Sequence, residues 1–472
     1  MFNKYIISVT FICLLACSCK KYLDITPLGQ AVLTTFSDYD KLLDNTATYT
    51  VHSYSETEIK YLNDQTGFDD NNIPANSSPT FISTSYLFDT TTSRFSVNIN
   101  SGLYSNAYAA IARLCLIIDN VTGAAGGTDA QKKQLIAEAR VLRAYAHFIT
   151  VNVYAKPYNP ATALMENAIP IKLHENLEEM IGPSTTAQVY SFIESELLAA
   201  IPDLSNTPKN TFHPSKAFGY AFLAKMYLFE RKFDKAQTAA RQSLALNNYI
   251  FDLVAYNASG MVNPIDISMQ ENTYYAFATT GNYPGPGSQI STDMYNFFGV
   301  SDMRRTVFFS TGINSSGCTS NFSKNLTGTS SFAYNAVGIR VPEVYLMLAE
   351  CYARVGDVTN AVAMLDTVRS KRMSPFVPSA APDATTAVNL IINERRKELL
   401  FGFNRFWDQR RLAQDPNYAV TATRIFPYVD VTRPHITYKL SPNSFFYTIP
   451  FDKKTMQANT KLLENTNDVK NW

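Results

Sequence analysis

Leu223-Ala224-Lys225-Met226-Tyr227, followed by Ala236 and Ala240, and Leu348-Ala349-Glu350-Cys351-Tyr352, followed by Ala361 and Leu365, carry one pattern at the same offsets. A large residue, a small residue, a tyrosine and two further apolar positions recur on a helical period. Small side chains let two antiparallel helices approach closely, and the tyrosine fills the space at the turn. Arg231-Lys232-Phe233 and Gly356-Asp357 supply the tight connections. The chain on either side reads the same way. Thr128 and Gln131 have capping-box spacing, and Leu135, Ala139, Leu142, Ala146 and Ile149 then step along one face until Pro157 stops the helix. Thr185 and Gln188 repeat the cap before a Val189, Phe192, Ile193 and Leu197 stripe that ends at Pro202. The expected fold class is mainly α.

The paired stretches resemble tetratricopeptide helix hairpins, which cannot cover their own apolar faces and therefore stack. Hairpins are expected over about 105–155, 186–250 and 340–411, packed with a large irregular region. Residues 45–100 and 255–335 are rich in Ser, Thr, Asn, Gly and Tyr and show no helical period. Gly281-Asn282-Tyr283-Pro284-Gly285-Pro286-Gly287 must be loop, because its prolines and glycines break any ladder. Long irregular stretches on a helical scaffold are where function concentrates.

Bulk chemistry narrows the function. A net charge of +1 and no basic run longer than Arg395-Arg396-Lys397 give nothing to attract a polyphosphate, so no nucleic-acid partner is expected. The N-terminus has a cationic Lys4 and an apolar stretch, Tyr5 to Ala16, too short to span a bilayer. Cys17-Ser18-Cys19-Lys20-Lys21 then reads as a lipoprotein cleavage site. Cys19 follows a small serine and is the expected lipidation site, with Cys17 as the alternative. Residues 1–18 are thus read as a lipoprotein signal peptide and 19–472 as one domain. Acyl chains at that thiol would anchor the chain to a membrane at about 0.8 kcal/mol per buried CH₂. Cys115 and Cys351 fall in helical apolar patterns and are expected as buried unpaired thiols.

Four stretches, in order, resemble the SusD/RagB family of outer-membrane nutrient-binding lipoproteins. They are Cys19-Lys20-Lys21-Tyr22-Leu23-Asp24 with Pro27, then Ala137 to Ala144 with Phe148, then Glu394 to Leu399 through Arg405 to Arg411, and last Ile449-Pro450 with Asn459 and Asn465. Asp302-Met303-Arg304-Arg305 resembles a further family element and is read as structural. The chain departs from the family at Gly402-Phe403, where Glu-Gly is usual, which bears on the helix break there. The resemblance implies a lipid-anchored protein facing the cell exterior. Such a protein would capture oligosaccharides and pass them to a SusC-like TonB-dependent transporter, its hairpins packing on the barrel while the loops hold cargo. A peptide-capturing member of the family and a helical-repeat scaffold for envelope assembly are the alternatives.

No catalytic constellation emerges. The five histidines, His52, His147, His174, His213 and His435, are scattered, with no zinc spacing, P-loop or nucleophile elbow. No metal or cofactor is expected. Glu394 and Glu398, four apart on a helix, have Arg395, Arg396, Arg405 and Arg410 nearby and are read, with Asp408, as a structural ion-pair network. On a continuous helix Leu399, Phe403, Phe406 and Trp407 would form its apolar stripe. For a sugar, the useful residues are rings that stack on C–H faces and planar polar groups that meet hydroxyls. The candidates are Tyr54, Tyr61, Asp64, Phe68, Asp69 and Asn71 from the first irregular region, and Asn282, Tyr283 and Gln289 from the second.

Overall fold

The computed structural model describes residues 33–44, 51–67, 79–98, 101–176, 178–259, 269–278, 289–309, 318–320, 335–400, 402–426, 434–466 and 468. Numbered in chain order, the longer helices are α1 (Phe36–Asp44), α2 (Gly102–Asn120), α3 (Asp129–Tyr154), α4 (Thr186–Ala200), α5 (Lys216–Phe229), α6 (Phe233–Leu246), α7 (Val341–Arg354), α8 (Val358–Arg369), α9 (Ala384–Glu398) and α10 (Asn404–Leu412). Both capping boxes form. Gln131 N donates to Thr128 Oγ1 (3.2 Å) while Thr128 N donates to Gln131 Oε1 (2.8 Å), and Thr185 and Gln188 do the same.

The two tyrosine stretches build equivalent hairpins. Lys232 N donates to Tyr227 O and Asp357 N to Tyr352 O, both at 2.9 Å and five residues on. Arg231 (φ 62°) and Gly356 (φ 88°) provide the left-handed residue each turn requires. Tyr227 Oη donates to Glu194 Oε1 (2.6 Å), and Tyr352 Oη accepts from Arg241 Nη2 (2.6 Å). Hairpin α5–α6 packs on α7–α8 through α6 and α7, and α9 covers α7. The fold is mainly α, with tetratricopeptide-like hairpins.

Helix α3 runs through the middle, between α2 and α4, with every residue from Val141 to Tyr154 buried. Trp407 meets it at the centre, packed on Phe148, Phe229 and Phe403, with Lys225 Nζ 4.8 Å from its ring centroid. Lys225 pairs with Glu343 of α7 at 2.9 Å. Cys115 and Cys351 are buried and unpaired.

The 394–411 stretch is a buried charge network that differs in detail from its sequence reading. Glu398 receives its guanidiniums from Arg304, Arg340 and Arg372, all outside the stretch. Asp408 pairs with Arg395 (2.9 Å) and Arg411 (2.7 Å). Arg410 donates to the Ala155 carbonyl, and burial pulls its pKa down to about 9. Asp302 and Arg304 join this network, Arg304 contacting Asp302, Glu394 and Glu398. The continuous apolar stripe from Leu399 to Trp407 does not form. Helix α9 ends at Glu398, Gly402 turns at φ 59°, and α10 starts at Asn404. A Cβ on Gly402 would collide with the Ala336 carbonyl oxygen, so the break needs this glycine.

Short strands stitch the irregular regions to this body: β1 (Ser53–Tyr54), β2 (Thr66–Gly67), β3 (Asn272–Tyr274), β4 (Phe277–Ala278), β5 (Gln289–Ser291), β6 (Cys318–Ser320), β7 (Ile339–Arg340), β8 (Ala422–Phe426) and β9 (Ile436–Leu440). They pair as β1–β4, β2–β5–β6, β3–β7 and β8–β9. Among the described residues no helix is long and apolar enough to cross a membrane.

Candidate functional site

Pairing between the two irregular regions decides where the site lies. β2 runs antiparallel to β5, with Gly67 opposite Gln289, and β6 continues the sheet with Ser320 opposite the same Gln289. The segments beginning at residue 68, ending at residue 288 and beginning at residue 321 therefore meet the sheet at one end. A second link is parallel: β1 pairs with β4, Tyr54 opposite Ala278, so the segment after 278 also starts beside the first region. Two stretches more than 200 residues apart are thereby joined at their roots.

The opposite end of the sheet is fixed to the charge network. Ser291 N donates to Gln65 O (2.9 Å), and Gln65 Nε2 donates to Arg396 O (2.7 Å). Asp64 takes two hydrogen bonds of 2.7 Å from Arg405 and lies 3.2 Å from Arg396. Burial alone would raise its pKa, but these guanidiniums outweigh that and hold it down to about 2. Asp64 is thus an anchor at the root of the sheet, its oxygens committed to arginine.

Two candidate rings are also structural. Tyr54 is 0% exposed, set edge-on against Tyr145, and Tyr61 is 8% exposed, edge-on against Tyr86 in a small cluster with Phe426. Burial pushes the Tyr61 phenol up to about 12. Neither presents a face for stacking, which corrects the expectation of exposed rings at these positions. Polar neighbours made them look like loop residues, but long-range strand pairing draws this segment into the core. Gln289 lies in β5 with its backbone paired on both sides. Phe68, Asp69, Asn71, Asn282 and Tyr283 fall outside the described residues, as do Cys17 and Cys19.

Rings that sequence reasoning passed over lie just past β5. In the short helix Thr292–Phe297, Tyr295 has the Arg305 guanidinium 4.6 Å from its centroid, and Phe297 has that of Arg396 at 4.8 Å. Both rings are half-buried. The Tyr295-Asn296-Phe297-Phe298 run was the available signal, but without Arg396 placed beside it the run reads as packing. Elsewhere, α2 borders a groove of about 570 Å³ that includes Tyr104, Tyr108, Glu178, Glu179 and Met180. Tyr108 Oη is committed to Pro170 O (2.7 Å), and among the described candidates Tyr54, Tyr61 and Asp64 do not line this groove.

Three of the five histidines, His52, His147 and His213, are buried and serve the fold, whereas His174 and His435 are exposed. His52 is fully buried between Leu43 O and Tyr274 Oη, and burial takes its pKa down to about 4. His213 bridges Glu138 of α3 (2.6 Å) and Asp44 of α1 (2.7 Å). Among the described residues no group of three His, Cys, Asp or Glu side chains is placed to hold a metal.

Comparison with known proteins agrees with this architecture. A family model described as starch-binding associating with outer membrane matches residues 21–228, and the SusD family model matches residues 311–468. No curated protein matches. A SusD superfamily protein from Bacteroides thetaiotaomicron is similar over 92% of this chain and 100% of its own, at 18% identity and a TM-score of 0.72. A putative sugar binding protein from Bacteroides vulgatus is similar over 93% and 100%, at 20% identity and a TM-score of 0.72. Surface glycan-binding protein A from Bacteroides uniformis is similar over 91% and 99%, at 16% identity and a TM-score of 0.67. At these identities the likeness is one of fold.

Proposed function

Because this chain belongs to the SusD/RagB family, we propose that it is a non-catalytic lipoprotein of the outer-membrane surface. It captures oligosaccharides and hands them to a SusC-like TonB-dependent transporter. The observation that carries this reading is the β2–β5–β6 register, which roots both irregular regions at one end of a sheet. Phe68, Asp69 and Asn71 follow β2 in sequence, and Asn282 and Tyr283 precede β5. These residues, with Gln289, form the capture site. A sugar ring offers an apolar C–H face to Phe68 or Tyr283, and its hydroxyls meet Asp69, Asn71 and Asn282. Asp64 anchors the chain just before β2 through Arg405 and Arg396, while Tyr54 and Tyr61 are core rings.

A sugar-binding description among the structural neighbours and the starch-binding description of the first family model support the ligand class. Nutrient transfer without chemistry fits the burial of His52, His147 and His213 inside the fold. Acylation at Cys19 holds the molecule at the membrane, and the hairpins face the transporter.

A glycan panel titrated calorimetrically against the soluble form lacking residues 1–19 tests the reading. Tyr283→Ala combined with Phe68→Ala should weaken binding of the recognised oligosaccharide at least tenfold, at about 1–3 kcal/mol per stacking ring lost. Unchanged affinity with an intact circular dichroism spectrum removes this site.

A further inference from the structure

A second concavity, of about 330 Å³, lies where the end of α3 meets the chain's closing turn. That volume is at the small end of ligand pockets, about 300–1,000 Å³. Its walls come from the loop after α3, the residues after α10 and the turn at 442–448. None of the strands that root the capture site contributes to it.

The floor is held rigidly from behind. Arg94, fully buried, donates to Phe446 O (2.8 Å), Phe445 O (3.3 Å) and Thr448 O (2.9 Å), and pairs with Asp468 at 2.8 Å. Asn465 Nδ2 ties Tyr154 O (2.6 Å) to Ile449 O (2.8 Å), which fixes the closing turn to the end of α3. A site held this way loses little entropy when it binds.

The chemistry of the walls selects the ligand. Gln414 gives its Nε2 to Tyr158 O (2.6 Å), and Asn159 Oδ1 accepts from Ala161 N (2.9 Å). Gln414 Oε1 and Asn159 Nδ2 remain for the pocket. The side chains of Asn443, Thr162 and Thr466 make no hydrogen bond to other described residues. Lys156 and Glu166 on the lip pair with each other at 2.8 Å and cancel. What remains is an uncharged array of amides and hydroxyls beside the half-buried Phe445 ring. Among the described residues a charged ligand finds no unpaired counter-charge there, and a hydrocarbon would strand the amides without partners. We infer that this pocket binds a single neutral pyranose, its C–H face against Phe445 and its hydroxyls on Asn443, Gln414 and Asn159. The inference adds a sugar subsite to the capture reading and rests on it.

Saturation-transfer NMR on the full-length chain in detergent, with the methyl glycosides of glucose, galactose, mannose and xylose at millimolar concentration, provides the test. At least one glycoside should receive saturation on its ring protons. Asn443→Ala, at an exposed position, should weaken that glycoside three- to tenfold with its melting curve unchanged, and Gln414→Ala, which also removes the bond to Tyr158 O, should weaken it as much with the circular dichroism spectrum intact. No transfer to any glycoside, or transfer undiminished in both variants, overturns the inference. If transfer is absent while oligosaccharide binding still depends on Tyr283, this pocket falls and the capture reading stands. If transfer depends on Asn443 while oligosaccharide binding ignores Tyr283, the pocket stands and the strand-end site falls.

Discussion

Replacing Glu398 with Gln probes the charge network that holds the site's foundations. The carboxylate is fully buried and accepts from Arg304 (2.8 Å), Arg340 (3.0 Å) and twice from Arg372 (2.9 Å each). Burial alone would raise its pKa, but Arg372, Arg340 and Arg304 outweigh that and keep it well below the usual carboxylate range. Glutamine preserves the volume and one acceptor. It also turns the second acceptor into a donor facing guanidinium N–H groups, and leaves three cations to Asp302, Glu271 and Glu394. Removing one member of a buried ion pair costs about 3–5 kcal/mol. At about 2.1 cal/mol/K per residue, 472 residues unfold with about 1 kcal/mol/K, so the melting temperature should fall by about 3–5 °C. The pH dependence adds a second constraint. A depressed folded-state pKa gives stability that is present above the unfolded value, about 4.3, and is lost as pH falls through the folded one. The gap between wild type and Glu398→Gln should be full at neutral pH and narrow once the pH drops below about 4. Differential scanning calorimetry from pH 7 down to pH 3 measures both. Equal melting temperatures at pH 7, or a gap that stays constant into acid, would refute the reasoning.

Other consequences are more local. Tyr61→Ala should destabilise by about 3–5 kcal/mol, read by denaturant melts, because its ring is core; a fully stable variant that has lost sugar binding would contradict its placement. Gly402→Ala should cost about 2–3 kcal/mol, since both the positive φ and the Ala336 carbonyl oppose a Cβ, and thermal denaturation checks it. His213 is desolvated, which lowers its pKa, yet Glu138 and Asp44 outweigh this and raise it. Its contribution is therefore complete below the unfolded value of about 6.5 and disappears as pH rises through the folded one. Hydrogen-exchange protection of α1 should decline on the alkaline side of neutrality, and His213→Gln should flatten that decline.

What could be read from the chain beforehand was local. Thr128 with Gln131, and the matching Tyr227 and Tyr352 turns, encode their structure within a few residues, so spacing alone reveals them. The sheet roots are different in kind. Nothing near Tyr54 announces β4, and nothing near Glu398 announces that its counter-charges come from positions 304, 340 and 372. The break between α9 and α10 was signalled only by the family resemblance, because Leu399, Phe403, Phe406 and Trp407 keep helical spacing across it. Only the Ala336 carbonyl, brought close by folding, shows why Gly402 must turn there. The turn that carries Asn443 and Phe445 was equally silent, since Arg94 organises it from about 350 positions away.

Gln65 reaches Arg396 across 331 positions, and Asp64 reaches Arg405 across 341. A polypeptide made from its N-terminus releases these early strands long before the Arg396 carbonyl and the Arg405 guanidinium exist. Fragments that stop short of residue 396 can still pair β2 with β5, but they lack the two groups that fasten that sheet to the helical body. The capture site proposed above is therefore braced only after synthesis passes residue 405, and a copy terminated earlier should bind glycan more weakly.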